Sequence, residues 1–371
     1  MGTKLAMSVH WGIFPGGARK EDDVHQSRRG FGEGGRGALR RWIALLLAAT
    51  LAGLSGAAQA QEIRFFRIGT GATGETHFPL GGLIANAISN PPGSRECAKG
   101  GSCGVPGLIA VAVSTHGAVA NIQALGEGRL DAALAQADIA YWAFHGTGIY
   151  KGKGAVENLR AIAMLYPDSI HLVARRDAGI SGIKDLKGKR VSLGEKGSGT
   201  LVEASIILEA HGVKAAQLKP FHLRSGAAAD ALAAGEIDAF FVTDAGPVPA
   251  VADLARKLEI DLVPIEGPQA ENLRATYPFF LPGSIAAGTY RGQETAVATL
   301  NVGVVLLVRA EVDAELVYGI TRALWHPSTQ KLLTQGHPRG NLIRLEAATE
   351  RMGIQLHAGA ASYYFDAGLV N

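Results

Sequence analysis

The stretch RFFRIGTGATG, residues 64–74, is the starting point for interpreting the chain. A short β-prone run leads into a glycine-rich turn, and Pro79 then opens a helical pattern that continues from Leu80 to Ile88. Proline suits the first turn of a helix because its missing N–H would have no partner there. A strand, a glycine-rich turn and a helix together predict a helix N-terminus whose backbone N–H groups attract an anion.

The spacing of Gly69, Gly71 and Gly74 also fits the G-x-G-x-x-G pattern of dinucleotide sites. Such a site needs a second strand that ends in an acidic residue about 20 positions later. In this chain Glu96 lies in a Pro- and Gly-rich loop and ends no strand. A dinucleotide site and a purely structural turn therefore remain alternatives, and a site for a small anion or zwitterion is favoured.

Residues 1–60 have the pattern of a leader. A basic region precedes the apolar run from Trp42 to Leu54, and the small-residue pattern at 58–60 resembles a cleavage site. These features predict a secretory signal peptide, too short to span a membrane, with Sec export favoured over twin-arginine export. Residues 1–30 are interpreted as a mis-started or non-native extension. We therefore expect the protein to be periplasmic.

The leader also changes the charge of the chain. The whole sequence carries 36 basic and 33 acidic residues, whereas residues 61–371 carry 28 and 29. No basic stripe with interleaved aromatic residues is present, so a nucleic-acid partner is not expected.

Cys97 and Cys103 are the two cysteines of the chain, and both lie in one loop. In an exported protein this arrangement predicts a local disulfide. A zinc site would need two more ligands nearby, so neither a metal nor a cofactor is expected.

Alternating helical and strand-like patterns after the leader predict an α/β fold. About 310 residues are more than one core usually serves, so two lobes are expected. We predict that residues 61–173 and 303–371 form the first lobe and residues 174–302 the second, with a hinge between them. The cadence Gly128-x-x-Asp131 followed by an apolar strand recurs at Gly235-x-x-Asp238, which predicts two similar halves.

Candidate ligand-binding residues are polar groups at glycine-rich turns and strand ends, where backbone donors are left free. From the first lobe they are Thr70, Gly71, Thr73, His77, Thr115 and Gln136, and from the second Ser198, Gly199 and Thr200. The alternative for the hydroxyls is that they cap their own helices. Ser198 lacks the strand–G-x-S-x-G–helix context of a hydrolase, and no nucleophile–base pair is visible.

Several of these motifs resemble those of the TAXI family of solute-binding proteins, which serve TRAP transporters. The resemblance rests on the stretches at 68–74, 114–121, 135–138, 185–191, 197–200, 235–241, 287–290 and 357–360. The loop between Cys97 and Cys103 looks like an insertion found in part of that family.

The resemblance implies a two-lobe periplasmic binding protein of the type II kind, not an enzyme, and a monomer. It implies capture of a small carboxylate or amino acid by lobe closure, and delivery to the TRAP membrane subunits. Two other functions stay open at this point. One is a sensor module for a membrane signalling protein, and the other is a hydrolase that uses Ser198.

Overall fold

The computed structural model describes residues 62–370, so the predicted leader lies outside the described residues. By residue contacts, Gln61–Asn371 is one compact unit. The strands in the described range are β1 Arg64–Gly69, β2 Ser89–Asn90, β3 Val105–Pro106, β4 Leu108–Val113, β5 Ala132–Gln136, β6 Leu159–Arg175, β7 Arg190–Ser192, β8 Lys219–Phe221, β9 Ala239–Asp244, β10 Ile260–Leu262, β11 Phe280–Ile285 and β12 Val297–Arg309.

The helices alternate with these strands, so the predicted α/β class is confirmed. In residues 62–370 they are α1 His77–Ile88, α2 Ala118–Gly126, α3 Ala137–His145, α4 Gly199–Ala210, α5 Ser225–Ala233, α6 Pro249–Lys257, α7 Pro268–Thr276, α8 Ala314–Leu324, α9 Pro327–Gly336 and α10 Ala358–Asp366. Short 3-10 helices cover Cys97–Lys99, Gly148–Tyr150, Arg176–Ala178, Ile183–Leu186, Ala215–Gln217, Gly340–Leu342 and Leu345–Ala347.

Two long antiparallel strands, β6 and β12, form the centre of the large sheet. The apolar runs at 159–166 and 170–173 predict two separate strands, but the structure has the single strand β6. Pro167, which cannot donate a ladder hydrogen bond, lies opposite Gly303 on β12, and the register of the pair shifts between Val304 and Val305 and between Leu306 and Leu307.

Along the main path of this ten-stranded sheet, three strands lie on each side of the centre, in the order β4-β1-β5-β12-β6-β9-β7-β8, while β10 pairs with β6 and β11 with β12. We call β4, β1 and β5 the N-terminal triplet and β8, β7 and β9 the middle triplet. In the first, β1 pairs in parallel with both β4 and β5. In the second, β7 pairs in parallel with both β8 and β9. The sheet is therefore built from two triplets of the same design, as the repeated cadence predicted.

The core divides into three clusters of buried apolar side chains. One packs α2, α3 and α4 against the sheet through residues such as Ile122, Trp142 and Ile207. A second gathers α1 and α8 around Leu80 and Ile320, and a third lies between α5, α6 and β9. The third is the smallest and belongs to the middle triplet.

The predicted disulfide between Cys97 and Cys103 is present, with their Cα atoms 4.7 Å apart. It closes the loop that follows β2. Among residues 62–370, no helix has the length and apolar character needed to cross a membrane.

Candidate functional site

A narrow cavity lies where the carboxyl ends of the strands of both triplets meet. Its volume is about 20 Å³. That is room for about one water molecule. An organic ligand can enter only if the two walls move apart.

Three helices begin at this cavity: α2 at Ala118, α4 at Gly199 and α5 at Ser225. A helix N-terminus carries unsatisfied backbone N–H groups and the positive end of the helix dipole. Because α2 connects β4 to β5 of the N-terminal triplet, whereas α4 and α5 lie between β7 and β9 of the middle triplet, the positive ends approach the cavity from both sides. This arrangement suits an anionic group.

Five of the predicted site residues line the cavity. They are His77, Gln136, Ser198, Gly199 and Thr200. Four others are not among its lining residues, namely Thr70, Gly71, Thr73 and Thr115.

Two hydroxyls in this second group, those of Thr70 and Thr115, form hydrogen bonds within the protein. Thr70 is fully buried and its Oγ1 donates to the carbonyl of Val113 at 2.8 Å. Thr115 Oγ1 donates to the carbonyl of Thr70 at 2.9 Å and accepts from the N–H of Gly117. These bonds tie the ends of β1 and β4 together. Thr73 is exposed.

Two of the lining hydroxyls are also engaged within the protein. Ser198 caps α4, because its Oγ accepts from the N–H of Leu201, and it donates to the carbonyl of Glu195 at 2.7 Å. Thr200 Oγ1 accepts from the N–H of Thr243 at 3.1 Å. No base is hydrogen-bonded to Ser198 Oγ among the described residues, so the hydrolase hypothesis lacks its proton acceptor.

His77 is the buried charge of the site. Its Nε2 lies 2.9 Å from Asp168 Oδ2, which also accepts from Gln136 Nε2 at 3.0 Å. Burial opposes protonation of His77, but the charge of Asp168 and the hydrogen bond outweigh it and raise the pKa of His77 to about 9. The side chain is therefore an imidazolium at neutral pH. Asp168 holds both His77 and Gln136 in place.

The residues that sequence reasoning missed carry most of the remaining charge. Arg224 Nε donates to Glu195 Oε2 at 2.9 Å, and His116 Nδ1 lies 2.8 Å from the same oxygen. Ser225 Oγ donates to Glu75 Oε1 at 3.1 Å. Burial raises the pKa of Glu75. The pattern of residues 227–234 predicts a helix, whereas α5 begins at Ser225. A helix start placed two residues earlier would have identified Ser225 as the first helical residue and Arg224 as the residue before it.

These contacts also join the two sides of the cavity. His116 and Glu75 lie next to the N-terminal triplet, whereas Glu195, Arg224 and Ser225 lie next to the middle triplet. The N–H of Ala120 donates across the same gap to the carbonyl of Gly197 at 3.1 Å. The structure is therefore that of a closed cavity.

A group of buried carboxyls lies beneath the floor. Asp138, Asp168, Glu203 and Asp244 are each at most 1% exposed. Burial raises the pKa of Asp138 to about 7, and burial together with the charge of Asp168 raises the pKa of Asp244 to about 7. Burial also raises the pKa of Glu203.

Comparison with known proteins gives one family match, the NMT1-like family, over residues 68–368. Solved structures that resemble the chain include the periplasmic aliphatic sulphonate binding protein SsuA from Escherichia coli, at 16% identity and a TM-score of 0.41. That match covers 82% of this chain and 83% of the other.

Another is PhnD1 from Prochlorococcus marinus in complex with methylphosphonate, at 12% identity and a TM-score of 0.48, covering 82% and 99% of the two chains. A third is the substrate binding protein of an amino acid ABC transporter, at 17% identity and a TM-score of 0.41, covering 75% and 97%.

Proposed function

Because the chain belongs to the NMT1-like family of periplasmic solute-binding proteins, we propose that the cavity captures a small carboxylate or amino acid for import. The family consists of substrate-binding proteins, so the expectation that the chain is not an enzyme is confirmed. The observation that carries the choice of ligand is the convergence of three helix N-termini and the side chains of His77 and Arg224 on one closed cavity.

Glu195 supports the proposal that the ligand is anionic. Its carboxylate accepts from Arg224 and lies in contact with His116 at the cavity wall. A ligand carboxylate that reached Arg224 would make the same charge-assisted bonds, each worth about 1.5–3 kcal/mol. Glu75 and Glu195 supply the negative charge that an ammonium group needs, so an amino acid fits as well as a simple carboxylate.

We further propose that binding proceeds by lobe closure. The predicted first lobe, residues 61–173 and 303–371, contains the N-terminal triplet, and the predicted second lobe, residues 174–302, contains the middle triplet. The proposed boundaries fall within β6 and β12, the two strands that link the triplets. A hinge there would open the cavity by breaking the contacts of Glu195 and Glu75 across it.

The site proposal is tested with two variants. Thermal-shift screening against amino acids and dicarboxylates identifies a ligand, and calorimetry then measures its affinity. Arg224→Gln should weaken binding at least tenfold, about 1.4 kcal/mol. Arg274→Gln, which changes an exposed arginine outside the cavity, is the control and should bind as the wild type does.

Thr200→Ala separates a ligand hydroxyl from a structural one. The loss of its bond to Thr243 should lower stability by about 1 kcal/mol. If Thr200 only ties α4 to β9, affinity is unchanged, and if it also holds the ligand, affinity falls. Equal affinity in wild type and Arg224→Gln would reject the proposed anion site.

The transport partner is the finer part of the proposal. The quoted motifs favour TRAP membrane subunits, whereas the family points to an ABC-type import system. The proposed periplasmic location, with a signal peptide in residues 1–60, fits both. Uptake of labelled ligand into vesicles with the co-encoded permease distinguishes them, because a TRAP system needs an ion gradient and an ABC system needs ATP inside. Ligand binding without uptake by either would favour the sensor alternative.

A further inference from the structure

A cluster of three potential metal ligands lies beneath the cavity floor. Ligand atoms of His77, Asp168 and Asp244 lie within 4.8 Å of one another, and all three side chains are buried. His77 is the first residue of α1, Asp168 lies in β6, and Asp244 is the last residue of β9. Three elements that are distant in sequence thus place one imidazole and two carboxyls together.

The hydrogen bonds around this cluster leave acceptor capacity unused. Asp168 Oδ2 contacts both His77 and Gln136, but Asp168 Oδ1 is buried without a partner among the described residues. The hydroxyl of Tyr166 is likewise buried without one, and its ring centroid is 6.1 Å from that of His77. Buried polar atoms normally have partners, so these two point to a further bound species.

The surrounding charge favours a cation. Asp138 and Glu203 add two more fully buried carboxyls near the cluster. His77 is the one basic side chain hydrogen-bonded to any of these four buried carboxyls in the described range. A divalent cation would let these buried carboxyls ionise, because its charge offsets the cost of burying a carboxylate.

We propose that His77, Asp168 and Asp244 bind a divalent first-row metal ion such as Zn²⁺ or Mn²⁺. One neutral imidazole and two carboxylates form a donor set suited to these ions, whereas Ca²⁺ and Mg²⁺ prefer oxygen donors alone. The ion would displace the proton that His77 carries without it, and that proton would be released to solvent on binding. Bonds of about 2.0–2.2 Å require ligand atoms roughly 3–4 Å apart, which the cluster reaches by small side-chain movements. The inference goes beyond the proposed function and revises the expectation of no metal.

The ion would connect the two halves of the site. Asp244 is the last residue of β9 in the middle triplet, His77 opens the helix that follows β1 of the N-terminal triplet, and Asp168 lies on the central strand β6. The N–H of Thr76 already donates to Asp244 at 3.0 Å across the same junction. A bound ion would strengthen this junction and favour the closed cavity.

The test is calorimetric titration of the full chain, stripped with EDTA and dialysed, with Zn²⁺, Mn²⁺ and Ca²⁺. We expect one Zn²⁺ or Mn²⁺ per chain, a raised melting temperature with that ion, and no comparable effect of Ca²⁺. Asp244→Asn should weaken binding at least tenfold. Asp253→Asn, a change at an exposed carboxyl outside the cluster, should leave it unchanged.

A second control addresses the other possible metal ligands. Cys97, Cys103 and His326 also lie close together, although the two sulfurs form the disulfide. His326→Gln should therefore bind the ion as the wild type does. If Asp244→Asn does not fold, X-ray absorption of the metal-loaded wild type must show nitrogen and oxygen donors without sulfur. No stoichiometric binding to the wild type, sulfur ligation, or loss of binding in His326→Gln would overturn the proposal.

Discussion

The N-terminal and middle triplets share one set of contacts on strands of different length. We call this set the clasp: an aspartate that accepts hydrogen bonds from the backbone and side chain of an arginine, and a glycine carbonyl that accepts from the same arginine. In the first, Asp131 accepts from the backbone N–H of Arg67 at 2.8 Å and from its side chain, which also donates to the carbonyl of Gly128. In the second, Asp238 accepts from the backbone N–H of Arg190 at 2.8 Å and from its side chain, which also donates to the carbonyl of Gly235.

The strands behind the clasps differ. β1 and β4 pair over six residues, whereas β7 and β8 pair over three. The longer ladder holds Arg67 in place with many backbone hydrogen bonds. The shorter ladder has fewer of them, so the clasp contributes a larger share of the stability there. Two triplets with the same local motif should therefore respond differently to the same substitution.

The interior of the triplets also differs at matched positions. Gly69 pairs with Ala133, and Ser192, at the equivalent place two residues after its arginine, pairs with Phe240. The helix residue seven positions before the clasp glycine is Asn121 in the N-terminal triplet and Ala228 in the middle one. The N-terminal triplet thus combines a glycine with a large polar residue, whereas the middle triplet combines a serine with an alanine.

The largest effect is expected from Gly69→Ser. A Cβ at position 69 would lie 2.7 Å from Asn121 Oδ1 and would also overlap the side chain of Leu130. Overpacking of this kind should lower the free energy of unfolding by about 3 kcal/mol. Urea denaturation measures this loss.

The double variant Gly69→Ser/Asn121→Ala sharpens the comparison, because it gives the N-terminal triplet the residues of the middle one. Removal of the amide relieves one of the two overlaps, so we expect a favourable coupling of about 1 kcal/mol between the two changes. Strictly additive losses would mean that the two positions are not matched in packing.

The next effect is expected from Asn121→Ala alone. Asn121 is fully buried, and its Nδ2 donates to the carbonyls of Thr70 and Leu134 at 2.7 and 2.8 Å. Loss of both bonds and of packed volume should cost about 2 kcal/mol. Gln123→Ala, an exposed change on the same helix, is the control and should stay within about 0.5 kcal/mol. A loss no larger than the control's would show that β1 and β5 do not depend on this bridge.

The sequence predicted the class of the fold and the repeated glycine–aspartate cadence, because both are local patterns. It could not predict that the hydroxyls of Thr70 and Thr115 would form the hydrogen bonds that join the end of β1 to the end of β4, since these bonds connect residues more than 40 positions apart. Nor could it show that Asp168 would meet His77 and Gln136. The continuous strand β6 was missed for a similar reason: the residues that pair with β6 around Pro167 lie on β12, far along the chain.

The smallest effect is expected from the clasps themselves, in the variants Asp238→Asn and Asp131→Asn. Both aspartates are partly exposed, so solvent screens each ion pair. Because the ladder of β7 is short, Asp238→Asn should cost about 1 kcal/mol and Asp131→Asn about half as much.

The side-chain hydrogen bond to Arg190 lowers the pKa of Asp238 against a smaller opposing effect of burial. Because this pKa is lower in the folded state, the ionised Asp238 contributes its full share of stability above the unfolded-state pKa of about 3.9. That contribution is lost as the pH falls through the folded-state pKa. In urea denaturation, the difference in the free energy of unfolding between wild type and Asp238→Asn should therefore stay constant from about pH 7 to pH 5 and shrink below about pH 4. Asp230→Asn, an exposed change on the helix before the clasp, is the control. Its free energy of unfolding should equal that of the wild type at about pH 7 and at about pH 4. Equal losses at the two clasps would mean that strand length does not decide how far each triplet depends on its arginine–aspartate pair.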